Sequence, residues 1–139
     1  MFELDHRLRE DTSVIGDLHL SRVLLHRDAN YPWCILVPRR KGIREIFELK
    51  EIEQMTLLDE SRALAAVMTA LFQPDKLNVA ALGNVVSQLH VHLIARFEDD
   101  PAWPAPVWGA TAAKAYGPGQ REARIEQLGK ALKIHGLSR

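Results

Sequence analysis

Apolar residues recur along this chain with two different periods, and each change of period marks an element. From Asp17 to Leu25 the segment DLHLSRVLL sets Leu18, Leu20 and Leu24 among polar neighbours, which predicts a strand. Arg27–Pro32 carries turn chemistry, and the apolar run Trp33–Val37 predicts a second strand, closed by Pro38 and the basic cluster Arg39-Arg40-Lys41-Gly42. Two strands joined by a short turn make an antiparallel pair.

Between Lys50 and Phe72 the period lengthens. Ile52, Met55, Leu64, Val67, Met68 and Leu71 recur at three- and four-residue steps, Ala63, Ala65 and Ala66 favour helix, and Pro74 ends it. The stripe from Met55 to Met68 reads as the buried side of that helix. Strand-like segments follow at Lys76–Leu82 and Gln88–Ala95, separated by Gly83–Ser87. Residues 98–119 are rich in Pro and Gly and predict an extended loop, and Gln120 to about Ile134 predicts a last helix with Ile125, Leu128 and Leu132 on one stripe. Residues 1–12 form a charged lead-in. The order of elements predicts one α+β domain over 1–139, an antiparallel sheet with helices packed on one side.

Composition narrows the function classes. In 139 residues, 18 Lys and Arg balance 18 Asp and Glu, so the chain lacks the basic excess of nucleic-acid or membrane-surface binders. Its 47% apolar content suits a packed core, not disorder. The single cysteine, Cys34, excludes an internal disulfide framework and a multi-Cys zinc site, and reads as a buried small hydrophobe. No apolar run reaches the roughly 18 residues of a membrane span. The charged opening MFELDHRLRE does not resemble a secretory signal, so a cytoplasmic location is expected.

The informative segment is Gln88-Leu89-His90-Val91-His92-Leu93-Ile94. Side chains alternate on a strand, so Gln88, His90 and His92 share one face at a spacing of roughly 6–7 Å, and Leu89, Val91 and Leu93 anchor the other. A lone strand histidine is most often structural; two beside an amide suggest a site. One reading makes His90 and His92 metal ligands, with a third ligand from His19, His26, Cys34 or a carboxylate. The other makes one imidazole a nucleophile whose neighbours orient it and bind anionic oxygens.

QLHVHLI resembles the signature of the histidine triad (HIT) superfamily, His-φ-His-φ-His-φ-φ with φ apolar, except that Gln88 replaces the first histidine. The similarity continues through Val23-Leu24-Leu25, Val37-Pro38-Arg39, the long helix, Asn78, Gly83-Asn84 and a tryptophan at Trp103-Pro104 or Trp108-Gly109. The segments YPWCILVPRR and KLNVAALGNVVSQLHVHLIAR look like a bacterial subgroup of that superfamily in which the glutamine is usual. The resemblance implies a HIT-like fold with about five antiparallel strands, a long helix and a C-terminal helix, a core of about 17–109, and a C-terminal extension over 110–139.

It also implies a nucleotide-binding hydrolase, in preference to a transferase, acting on the α-phosphorus of phosphoramidates or dinucleoside polyphosphates. His90 matches the nucleophile that forms a covalent nucleotidyl intermediate. His92 would donate to phosphate oxygens and help set the His90 tautomer, and Gln88 would add an amide donor. Asn84 and Asn78 would lie near the phosphate, and Asp28 in the loop that meets the ribose. Trp33 stands where many relatives carry a histidine, and would wall the pocket or stack on a base. His19 and His26 match no family role, and Arg96 reads as a surface partner of Asp99 or Asp100. No metal or cofactor is implied. The expected partners are a nucleotide and a second copy of the chain, paired through the long helix, with no nucleic-acid polymer and no membrane. A non-catalytic nucleotide-binding module is the alternative.

Overall fold

The computed structural model describes residues 1–139. A short helix α1 (His6–Asp11) leads into strands β1 (Thr12–Asp17), β2 (Ser21–His26) and β3 (Trp33–Pro38). A long helix α2 (Glu51–Phe72) and strands β4 (Lys76–Ala80) and β5 (Val91–Arg96) follow, and helix α3 (Gln120–Leu132) lies near the end. The five strands form one antiparallel sheet in the order β1-β2-β3-β5-β4. The α+β architecture and both expected helices are as the sequence pattern predicts, and the five strands are as the resemblance implies. No helix is long and apolar enough to cross a membrane.

The strand expected over Asp17–Leu25 is instead a reversal between two strands. Leu18 and Leu20 are buried, which produces the alternation, but they flank a turn. The N–H groups of Leu20 and Ser21 donate to the buried carboxylate of Glu60 on α2, at 2.7 and 3.1 Å. A partner forty residues away holds that turn, which no local pattern announces. β1 bulges between Val14 and Gly16, and the C-terminal segment crosses Gly16 so closely that a Cβ there would lie 2.6 Å from the Ser138 carbonyl oxygen. Glycine is required at that crossing.

The sheet is covered on both faces, and the two coverings differ. Val23, Leu25, Cys34, Leu36, Val91 and Leu93 face α2 and α3 and form the larger core. Burial pushes the Cys34 thiol up to about 12, so it serves as packing. The other face carries Leu24, Trp33, Ile35 and Ile94 under Leu8 of α1 and Ala102 and Val107 of the loop after β5. The α2 stripe is narrower than expected: Met68 is buried, but Met55 is exposed along with Ile52 and Leu58.

Arg96, expected on the surface, is 2% exposed at the end of β5. Its guanidinium grips Asp100 through two bonds of 2.7 and 3.0 Å and donates to Asn78 Oδ1 and the Ala105 carbonyl, both at 2.8 Å. Asp100 also accepts the N–H groups of Phe97, Ala102 and Trp103. Burial alone would raise the Asp100 carboxyl, but Arg96 and these N–H groups prevail and hold it at about 2. The charge is buried because it organises the covering loop, and losing one partner of such a pair costs about 3–5 kcal/mol.

Candidate functional site

The loop-covered face of the sheet is where aliphatic packing gives way to rings. His26 ends β2, Trp33 begins β3 and His92 lies on β5, so three strands place three rings side by side. His26 stacks flat on Trp33 with centroids 3.8 Å apart and planes 7° off parallel. His92 meets His90 edge-on at 4.8 Å, and Trp108 from the loop meets His92 and Trp33 edge-on at 5.0 and 5.7 Å. A cavity of about 470 Å³ opens beside them, lined by these rings together with Asn84, Val86 and residues of α1.

The hydrogen bonds determine which nitrogen each imidazole offers. His90 Nδ1 lies 2.7 Å from the Gln88 carbonyl oxygen, which can only accept, so Nδ1 carries the hydrogen and Nε2 is the free nitrogen. Trp33 Nε1–H donates to His92 Nδ1 at 3.0 Å, so a neutral His92 carries its hydrogen on Nε2. The Asp28 N–H donates to His26 Nδ1 at 3.1 Å and gives His26 the same tautomer as His92. Burial, with His90 and His26 adding repulsion, lowers His92 to about 3. Burial lowers His26 to about 4 against the pull of Asp11 and Asp28. Two adjacent rings thus have opposite polarity: His90 offers a lone pair and His92 offers an N–H.

His90, His92, Trp33 and Asn84 of the sequence-derived set all line this cavity. The remaining members lie elsewhere. β5 begins at Val91, not Gln88, and Leu89 N–H bonds to the Ile43 carbonyl instead of a sheet neighbour. Gln88 turns its amide toward residues 3 and 5, so it does not supply the expected donor beside the imidazoles. Asn78 is occupied by Arg96. Asp28 is buried under the loop, where its Oδ1 accepts the N–H groups of Asn30 and Lys114.

Trp33 walls the cavity, but His26 covers one of its faces, and its indole N–H, not Gln88, addresses His92. The His90 tautomer is set by the Gln88 carbonyl and not by His92. Arg39 and Arg40 of the basic cluster bind the Leu18 and His19 carbonyls and Glu53. Of the two tryptophans considered, Trp108 joins the site and Trp103 lies over Arg96. His26 is the missed member. The signal was present: a turn over 27–32 leaves residues 26 and 33 at its two ends, next to the Leu25–Cys34 pair of the sheet.

The HIT domain family model matches residues 7–99. A histidine triad protein from Marinobacter aquaeolei VT8 is 48% identical over 98% of this chain and 99% of its own, with a TM-score of 0.94. A histidine triad protein from Bradyrhizobium japonicum is 47% identical over 94% of this chain and 97% of its own, with a TM-score of 0.92. The diadenosine triphosphate hydrolase of Plasmodium falciparum shares the fold at 20% identity, over 97% of this chain and 78% of its own, with a TM-score of 0.51. No curated protein matches the sequence.

The depressed imidazoles make a pH prediction. Unfolded, His26 and His92 take up protons near pH 6.5, whereas in the fold they stay neutral to about 4 and 3. Their contribution is therefore complete above about pH 6.5 and is lost progressively as pH falls from there toward about 4 and 3, at roughly 1 kcal/mol per ring by pH 5.5. Urea unfolding should give lower stability at pH 5.5 than at 7.5, with a smaller difference in His92→Gln. Equal stability at both pH values would contradict the neutral assignment.

Proposed function

This chain belongs to the histidine triad (HIT) domain family, and on that premise we propose that it is a nucleotide hydrolase with His90 as its nucleophile. The observation that carries the reading is the 2.7 Å bond from His90 Nδ1 to the Gln88 carbonyl, which leaves Nε2 as the ring's free nitrogen in a residue that lines the cavity. A neutral imidazole with Nδ1 engaged presents its Nε2 lone pair in one direction, without a separate base to remove a proton. The neighbouring His92 supplies the complementary Nε2–H, an oriented donor for the oxygens of a phosphoryl group.

In the proposed reaction the Nε2 lone pair forms a bond to the α-phosphorus of a nucleoside phosphate. The bond from phosphorus to the leaving group breaks in line, and the leaving group departs with the bonding pair. A phosphate leaving group departs as an anion; an amine takes a proton from water. Water then attacks the phosphorus, the P–N bond breaks, and the nucleoside monophosphate is released as His90 regains its lone pair. Aromatic and aliphatic walls from Trp108, His26 and Val86 suit the flat apolar base, and the substrate class is a phosphoramidate or a dinucleoside polyphosphate.

A second copy of the chain is part of the proposal. Phe47, just ahead of α2, is 78% exposed, and on α2 itself Ile52 is 67% exposed, with Met55 and Leu58 exposed in the turns that follow. Such an exposed apolar stripe on the N-terminal half of the helix supports pairing through α2. Sedimentation should give a dimer that Ile52→Glu with Leu58→Glu converts to monomer; a monomeric wild type at tens of micromolar would contradict the pairing.

The nucleophile is tested by quenching the wild type during turnover of an adenosine phosphoramidate or diadenosine polyphosphate. An acid-labile nucleotidyl adduct should map to His90. His90→Ala should retain nucleotide binding, form no adduct and lose at least about a thousandfold in rate, in keeping with removal of a covalent nucleophile. Binding without any adduct in the wild type would leave a nucleotide-binding module and refute the hydrolase.

A further inference from the structure

Gln88 stands where the triad signature has its first imidazole, and both ends of its side-chain amide are engaged with the N-terminal segment. Its Nε2–H donates to the Glu3 carbonyl at 2.8 Å, and the Asp5 N–H donates to its Oε1 at 2.8 Å. A C=O at one residue and an N–H two residues later, flanking Leu4, is the pair of groups that a parallel strand partner would satisfy. A primary amide holds donor and acceptor on one carbon and can meet both. The two nitrogens of an imidazole point away from each other and cannot serve that pair.

A second tether lies beside the first. Arg7 Nη1 donates to the Val85 carbonyl at 2.8 Å, and its Nε and Nη2 bind the Asp5 carboxylate at 3.2 and 3.1 Å. Asp5 in turn caps α1 by accepting the Arg7 N–H at 2.9 Å. Phe2, Leu4 and Leu8 pack inward against the cluster that contains Trp33 and Ile35. Residues 1–11 therefore form a strap bolted to the loop that precedes His90. Arg7, Leu8 and Asp11 of that strap line the same cavity as the rings.

We infer that Gln88 is a positioning residue for nucleotide binding: it clamps the N-terminal strap in place as a wall of the His90 cavity. Where the triad signature has its first imidazole, this chain then has a fastening for one wall of the site. The inference rests on the nucleotide reading above. It predicts that Gln88 acts on affinity and leaves the chemical step alone.

The test uses the full chain, with adenosine monophosphate as the binding probe and amide exchange at Asp5 as the report on the clamp. Gln88→Ala removes only the side-chain amide and keeps the backbone carbonyl that holds His90 Nδ1, so it should speed exchange of the Asp5 amide, weaken adenosine monophosphate binding and raise KM about tenfold, and leave kcat within about twofold, as expected for loss of two modest hydrogen bonds. Gln88→Glu keeps the acceptor for Asp5 but has no donor for Glu3, so it should fold and show an intermediate loss. Gln88→His should not restore affinity. A fall in kcat with affinity unchanged would make Gln88 part of the chemistry and overturn the inference. Unchanged affinity despite a released Asp5 amide would reduce the clamp to scaffolding and overturn it too. A wild type that binds no nucleotide overturns the nucleotide reading itself; a wild type that binds, with Gln88→Ala binding as tightly, overturns only the role of the strap.

Discussion

Strand β5 is buried on both faces, and only one of those faces is apolar throughout. The second face carries His92 and Arg96, with His90 just ahead of the strand, and polar groups withdrawn from water must each find a partner. Much of the molecule beyond the α2–α3 core answers that requirement. Arg96 draws in Asp100 and Asn78 and so organises the covering loop. His92 takes the indole N–H of Trp33, and His90 takes the carbonyl of Gln88. The same loop reaches back to Asp28, whose N–H orients His26.

Satisfying these groups has a chemical consequence, because an imidazole with one nitrogen occupied by a known donor or acceptor is committed at the other. His90 accepts no hydrogen bond at Nδ1 and His92 donates none there, so the two rings face the cavity with opposite character. Their neighbours strengthen the arrangement. His26 flat against Trp33 restrains the indole that addresses His92, and the low pKa of His26 and His92 keeps these two rings uncharged near neutral pH. Trp33 fixes the His92 tautomer through its indole N–H.

Much of this was legible in the chain. The long helix, its stop at Pro74, β3 and the alternation through His90 and His92 follow from period and turn chemistry, and they located the imidazoles on the face away from Leu89, Val91 and Leu93. What was not legible depended on distant partners. Leu18 and Leu20 alternate like a strand, yet Glu60 makes them a turn. Arg96 beside two aspartates looks like a surface pair, yet a loop folds over it. Asn78 and Asp28 carry the polar groups expected near a nucleotide, but Arg96 and Lys114 occupy them. Gln88 shares the histidines' parity on the chain, but the extended segment at Glu3–Asp5 provides a closer match for its amide than the cavity does.

His90 and His92 are locked as opposite tautomers, with the His90 lone pair on Nε2. Long-range proton–nitrogen correlation spectra of nitrogen-labelled protein at pH 7.5 read this directly, with His90→Ala and His92→Gln providing the assignments. His90 should show a protonated Nδ1 and a bare Nε2, and His92 the reverse, with the His92 pattern disturbed in Trp33→Phe. A protonated Nε2 on neutral His90, or two rings averaging freely between tautomers, would contradict the arrangement on which the nucleophile depends.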